Sequence, residues 1–539
     1  MRDRPSSRPA VMLSLVVVMV CGSAAGQERA AIEREPEADA PGTTPVEERV
    51  RSSAEAEDQA VRLSGYLRVR GDLGVGWGLG HGATPSSSSG FWPAPYTDPD
   101  GGTLQSHLDM RLRANVDVTV GWGVSVHARL DVLDNLVLGS TPEEGFTGGV
   151  TSQRSPDDAI AVRRAYGQVL LPFGVLSAGR MGALIDWGTG FLVSAGDALD
   201  DDFGDVGDRI ALSVPLAGLI WNAAFEISAS GPTTGDVRPE VEPAMDLDPA
   251  DDVRTIALAV ARWHTPTSLR RRRAAGRTTL DAGLLASYRW QRLDLAPGAG
   301  ASAANVVARG LDAGVVDVWA RLDAGRVTLE AEAALLALSI ENASLDPTVA
   351  LAEPVTGLAA GGLVRAEVRA SSRVFARLEL GVASGDSHAG FGVRQTGTAL
   401  PGDLDGAQID LARSPPDTTL DNFRFHPSYR IDLILFRRLL GTVTDAAYVR
   451  PMLRWRVWSM LTLEAAVIAS TAIMRNSTPS GEAPLGVETD VAIEYEQEHG
   501  FVARLDYGLL LPLAGFRNVV LDRSPTPAHA LHLLLGFRY

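Results

Sequence analysis

The densest set of groups able to do chemistry is the segment Gly196-Asp197-Ala198-Leu199-Asp200-Asp201-Asp202-Phe203-Gly204-Asp205-Val206-Gly207-Asp208-Arg209, with six carboxylates in twelve residues. Hard cations such as Ca²⁺ are held by several oxygens, and Asp197, Asp200, Asp201, Asp202, Asp205 and Asp208 could supply them. The spacing lacks the alternating ligands and closing Glu of an EF-hand loop. The competing reading is an acidic loop paired with arginines of the same chain, with no cofactor at all.

Other chemistries find little support. The nine histidines are scattered, and no H-E-x-x-H, G-x-S-x-G or Cys–His pattern occurs. The single cysteine, Cys21, rules out a disulfide scaffold and a thiolate-built metal centre. All 49 cationic side chains are arginines, so lysine-dependent Schiff-base or phosphate-loop chemistry is excluded. A formal charge of −17 argues against nucleic acid, which needs a positive field. The sequence therefore predicts a protein that is not an enzyme.

The remaining charges follow a period of two. In His107 to Val120, Leu108, Met110, Leu112, Ala114, Val116, Val118 and Val120 share one face, while Asp109, Arg111, Arg113, Asn115 and Asp117 share the other. Side chains alternate across a strand, so each such segment has one apolar and one wet surface. The unit recurs at 124–132, 318–333, 364–380 and 487–496. On the wet faces lie Arg111, Arg113, Arg129, Arg163, Arg365, Arg369, Arg377, Arg454, Arg456 and Arg504, with Asp109, Asp131, Glu367, Glu379, Glu464, Glu494 and Asp506. Charges facing lipid near the bilayer centre are costly, so these residues are expected to line an enclosed aqueous interior. His107 and His127 share that parity, and structural pairing is expected of them.

A soluble β-sandwich would alternate too. Three features favour a transmembrane antiparallel up-and-down barrel instead. The strands are long enough to cross a bilayer, short turns alternate with long loops, and Leu531, Leu533, Leu535, Phe537 and Tyr539 form an apolar ladder ending on an aromatic residue. That ladder resembles the signal read by outer-membrane assembly machinery. A helical membrane protein is not expected, because the apolar stretch from Ile210 to Phe225 is broken by Pro215-Leu216-Ala217-Gly218.

Eighteen strands are predicted, from 65–79 to 529–539, within a range of 16 to 20. An even count returns both termini to the periplasm. The apolar segment Arg430 to Arg437 would make nineteen, so it is placed inside the extracellular loop 385–445, as a helix or strand dipping into the lumen. Twenty strands is the alternative. Trp77, Trp122, Phe173, Trp221, Trp263, Trp290, Trp455 and Tyr539 are expected to anchor at the membrane interfaces. The run Arg270 to Arg273 is expected in a solvated periplasmic turn.

The N-terminus reads as a secretory signal, residues 1–26, with basic Arg2, Arg4 and Arg8 before the apolar run from Ala10 to Val20. A lipid-attached Cys21 is disfavoured by Val20, where a small residue is wanted. Residues 27–63 read as an acidic disordered periplasmic leader, and 64–539 as the barrel.

Several longer motifs carry a family likeness. Asp131-Val132-Leu133-Asp134-Asn135-Leu136-Val137-Leu138-Gly139-Ser140-Thr141-Pro142, Gly179-Arg180-Met181 with Asp186-Trp187-Gly188, the aspartate-rich stretch 196–209, and Phe425-His426-Pro427-Ser428-Tyr429 through Asp432-Leu433-Ile434-Leu435-Phe436 resemble an uncharacterised family of large Gram-negative outer-membrane barrel proteins. The resemblance implies the barrel and carries over no catalytic residues. The leading expectation is a porin-like channel for small polar solutes, narrowed by loops 182–207 and 385–445. A non-conducting scaffold or adhesion barrel with a filled lumen is the alternative. Expected partners are outer-membrane lipid, lipopolysaccharide and the assembly machinery.

Overall fold

A computed structural model describes residues 61–80, 104–120, 123–137, 160–182, 187–229, 234–235, 245–246, 250–295, 306–342, 354–386, 418–497, 500–519 and 522–539. The signal and leader expectations for residues 1–60 lie outside them, as does Trp122. Eighteen long strands form one sheet. The first nine are β1 (Val61–Val75), β2 (Leu104–Thr119), β3 (Val124–Val137), β4 (Ile160–Leu171), β5 (Gly174–Gly182), β6 (Val206–Leu216), β7 (Leu219–Ala229), β8 (Val253–Arg262) and β9 (Thr279–Leu295). The rest are β10 (Val306–Ala324), β11 (Val327–Ile340), β12 (Val355–Arg369), β13 (Val374–Ala383), β14 (Ala446–Arg456), β15 (Leu461–Ala472), β16 (Pro484–Glu496), β17 (Phe501–Pro512) and β18 (Ala528–Arg538).

Each strand pairs antiparallel with its sequence neighbour, and β18 pairs with β1 from Tyr66↔Arg538 to Val75↔His529. The sheet therefore closes without an edge, which removes the unpaired backbone groups that an open sheet would expose. Tyr539 finishes the seam: its N–H donates to Gly65 O at 3.1 Å and its carbonyl accepts from Gly65 N at 3.0 Å.

The exterior is apolar. Val364, Leu378, Leu380, Leu453, Val491, Ile493, Leu505 and Leu533 are all exposed, while Arg68, Arg111, Asp131 and Asp317 are fully buried on the inside. A water-soluble barrel would show the reverse distribution, so lipid is the solvent this exterior fits.

The strand number agrees with the sequence, but several strands are longer. β1 opens at Val61, inside the stretch assigned to the leader. β10 begins at Val306 rather than 314, and β12 at Val355 rather than 362. Both additions lie on the long-loop side, where a strand can continue beyond the bilayer. The connection holding Arg270 to Arg273 is an α-helix, α1 (Pro266–Ala274), rather than a bare turn. Thr265 caps it by accepting from Ser268 N at 3.2 Å, and three arginines sit in its last turn, where they complement the carbonyl end.

Two expected interface anchors point elsewhere. Trp77 is buried inside, donating Nε1–H to His529 O at 2.9 Å. Trp263 turns inward, 5.1 Å from Trp319 and 6.3 Å from Trp187 between ring centroids. Trp221, Trp455, Phe173 and Tyr539 remain exposed.

Candidate functional site

The lumen is the candidate site, and two loops fold back into it. The segment 187–205 between β5 and β6 lies against an arginine-rich wall made by β1 to β4. Alternation on β1 and β2 puts Arg68, Arg70, Arg111 and Arg113 on the inner face. Arg113 grips Asp131 with two bonds of 2.7 and 2.8 Å and also donates to Gly196 O at 2.8 Å. Arg111 pairs with Asp134 at 2.5 Å and donates to Asp201 O at 2.8 Å. Arg68 donates to Leu199 O at 3.0 Å, to Asp202 at 3.0 Å and to Asn135.

The six aspartates do not converge on one point. Asp200 is held by Arg70 at 3.1 Å, Arg430 at 2.7 Å and Arg437 at 2.9 Å. Asp202 is held by Arg70 at 2.9 Å, Arg430 at 2.8 Å and Arg68 at 3.0 Å. Asp197 pairs with Arg129 at 2.5 Å, Asp201 accepts from Ala198 N at 2.9 Å, and Asp205 accepts from Ser194 N at 2.8 Å. Asp208 lies apart on β6 and pairs with Arg180 at 2.8 Å, both half-exposed. Guanidiniums thus occupy the Asp200 and Asp202 oxygens that a hard cation would need. Burial alone would raise both carboxyl pKa values, but Arg437 and Arg430 hold Asp200 well below the usual range, and Arg70 and Arg430 do the same for Asp202.

Among the described residues, a group spaced for a metal is Asp72, His107 and Asp109, with ligand atoms within 4.8 Å of one another. Cations already face it: Arg438 is 2.5 Å from Asp72 Oδ2, and Arg70 donates to Asp109 Oδ2 at 2.9 Å.

The second inserted segment spans 418–445. It carries the short π-helical turn Leu435–Leu439, inside the lumen as the strand count requires. Phe423, Phe425, Ile431, Ile434, Phe436 and Leu439 are buried in an apolar cluster with Phe191 and inward wall residues such as Leu363 and Tyr448. Small wall residues allow this approach. A Cβ at Gly361 would lie 2.2 Å from the Phe423 ring, and one at Gly536 would lie 2.2 Å from Leu199.

Polar fixings complete the insertion. Glu488 on β16 accepts from Leu433, Ile434 and Leu435 N–H groups at 2.9, 2.7 and 3.0 Å. Asp432 accepts from Phe436 and Arg437 N–H at 2.9 and 3.0 Å. Burial pushes the Asp432 carboxyl pKa up, and that of Asp445 up to about 6. Burial likewise lowers Arg437 to about 10, against the pull of Asp200.

On the opposite wall, Arg365 meets Glu379 at 2.9 Å and Glu330 at 3.1 Å, and donates to Tyr429 Oη at 2.7 Å. Glu367 pairs with Arg377 at 2.9 Å and Arg369 at 3.5 Å, Arg454 with Glu464 at 2.6 Å, and Arg504 with Asp506 at 2.7 Å. These ion pairs fall in separate patches of the inner wall rather than in one ring. Arg369, Arg454 and Arg456 line a cavity of about 720 Å³ at the short-turn end.

Sequence reasoning did not single out Arg68, Arg70, Asp72, Arg164, Arg430 or Glu488. Strand parity would have found Arg68 and Arg70. Arg164 is set beside Arg129 by a bulge that also leaves Arg163 reaching Asp131 at 3.2 Å, so parity from either neighbour misleads.

One trio has the order of a nucleophilic triad. Ser125 Oγ is 2.8 Å from His127 Nε2, and His127 Nδ1 is 2.6 Å from Asp117. Ser125 pairs in register with Thr119 on one side and Gln168 on the other. Its neighbouring amides thus belong to the strand ladders, not to an oxyanion-stabilising pair. The trio braces β2 against β3, with Tyr166 stacked on His127 at 4.8 Å.

No protein-family profile and no curated protein sequence matches the chain. Solved barrels similar to it include the outer membrane protein OpdK of Pseudomonas aeruginosa, at 12% identity over 89% of this chain and 99% of that one, with a TM-score of 0.45. A BenF-like porin of Pseudomonas fluorescens is 9% identical over 89% and 98% of the two chains, with a TM-score of 0.44. The outer membrane channel DcaP of Acinetobacter baumannii is 12% identical over 89% and 97%, with a TM-score of 0.36.

Proposed function

We propose that this chain is an outer-membrane β-barrel of a Gram-negative bacterium, a porin-like channel for small polar solutes, with the segments 187–205 and 418–445 forming its constriction. The observation carrying this reading is the closed eighteen-stranded wall, apolar outside and lined inside by ion pairs. A barrel of about that size encloses an aqueous passage unless loops fill it. The ion pairs of both signs along the inner wall would orient polar solutes passing between them. The C-terminal strand ending at Tyr539 is the segment we assign to the assembly machinery. The motif likeness to an uncharacterised barrel family supports the same reading.

The apolar cluster around Phe425 and Phe436 favours a second reading, a non-conducting scaffold whose lumen is filled. Planar-bilayer recording separates them. A channel gives discrete conductance steps that grow when the inserted segment is freed by Glu488→Ala. Silence from both the native chain and that variant rejects the channel and leaves the scaffold.

A further inference from the structure

We propose that the periplasmic mouth of the lumen is a binding site for small oxyanions, with Arg373 and Arg456 as its principal contacts. The two arginines line the cavity of about 720 Å³ formed where the short turns after β12, β14 and β16 meet the end of β18. They are adjacent, because Arg456 N–H donates to Arg373 O at 2.8 Å. Strand parity turns Arg456 inward with Arg454, opposite to the exposed, outward-facing Leu453 and Trp455.

Most lumen arginines described above already have a carboxylate. Among the described residues, Arg373 and Arg456 have neither an ion pair nor a side-chain hydrogen bond, and both are exposed. Arg369, Arg454 and Arg538 line the same cavity, each facing one carboxylate: Glu367 at 3.5 Å, Glu464 at 2.6 Å and Glu496 at 2.6 Å. Of the two glutamates in the lining, Glu496 is thus engaged by Arg538, and Glu494 pairs with Arg504 at 3.2 Å. The cavity is consequently positive in a chain whose overall charge is −17.

Two unpaired guanidiniums lining one cavity suit an anion with at least two oxygens. Each fork can donate a pair of parallel N–H···O bonds to a phosphate or carboxylate. Ser371, Ser372, Ser459 and Thr462 add neutral donors around the same space. A concave, low-dielectric wall focuses the field of these charges and raises the local anion concentration. The proposal specifies the solute class for the channel reading. It rests on that reading for the position of the mouth, but not for conduction.

The test uses inorganic phosphate with the full chain folded in detergent micelles, read by ³¹P line broadening. Saturable broadening is expected, weakened at least tenfold in the Arg373→Gln/Arg456→Gln double variant. Arg517→Gln, in a distant loop, serves as control. Glu494→Gln should tighten binding, which tests the site without removing an arginine should the double variant fail to fold. Absence of saturable broadening, or equal affinity in native and Glu494→Gln chains, overturns the proposal. Reversal potentials in a KCl gradient give an independent reading, with anion preference expected. A silent bilayer removes the channel reading and leaves phosphate binding to be judged by its own signal.

Discussion

At the scale of single residues, the lumen is organised by which carboxylates are paired and which are merely buried. Asp202 faces four guanidiniums, those of Arg70, Arg111, Arg430 and the fully buried Arg68. Asp202→Asn leaves that charge without its main partner, and breaking a buried pair from one side costs about 3 kcal/mol. The expected outcome is a lower midpoint in denaturant titration and faster hydrogen exchange across 197–205; unchanged exchange there refutes the pairing. Acidity acts on two classes of aspartate in opposite directions. Asp200 and Asp202 have depressed folded pKa values, so their stabilising contribution is present above about pH 4 and is lost as pH falls further. Asp445, buried and raised to about 6, binds its proton more tightly in the folded chain, so stability falls as pH rises from about 4 to 6 and stays reduced above that. Asp432 is shifted in the same sense. The second inserted segment should therefore be docked most firmly near pH 5. Hydrogen exchange of residues 432–445, corrected for intrinsic rate, should be at least tenfold slower at pH 5 than at pH 7.5, and equal protection at the two pH values would contradict the assignment.

At the scale of elements, the strands and the two loops that enter the lumen were legible and the contacts of those loops were not, for a physical reason. A strand in a barrel wall meets lipid on one side and water or charge on the other, so its own alternation declares it, as in the run from His107 to Val120. Parity also placed Arg111, Arg113, Arg365 and Arg377 inside. It could not say that Asp200 would meet Arg430 and Arg437, because that contact depends on two loops more than 200 residues apart folding into the same space. Trp77 and Trp263 show the same limit: an aromatic near a strand end looks like an interface anchor until an inserted neighbour takes it inward. The segment at Leu435 was apolar enough to resemble a strand, yet its amides are satisfied by Glu488 and Asp432 instead of by a ladder. Glu488 is accordingly the principal polar latch on this element. Glu488→Ala removes three hydrogen bonds from backbone amides, a loss of about 3 kcal/mol in docking. Exchange protection at Leu433 to Leu435 should drop about a hundredfold, with Glu488→Gln intermediate because one carbonyl oxygen remains to accept. Equal protection in both variants and the native chain would show that the apolar cluster alone retains the segment.

At the scale of the molecule, one substitution pattern decides which solvent the outer wall meets. Leu378 sits midway along β13 with its side chain outward, while Thr462 at the start of β15 faces the polar mouth. If the wall is embedded in hydrocarbon, Leu378→Arg carries a charge to the bilayer centre, at a cost of about 2–4 kcal/mol. Thr462→Arg adds the same charge to a solvated cavity and should change stability by less than about 1 kcal/mol. The comparison holds the added group constant and changes only the face, so propensity and size effects largely cancel. Denaturant titration of the chain folded into phospholipid vesicles measures both. A large loss for Leu378→Arg with little for Thr462→Arg is expected. Equal costs would mean that the exposed leucines and valines face protein or water, and the membrane-spanning wall would have to be abandoned along with the lumen it encloses.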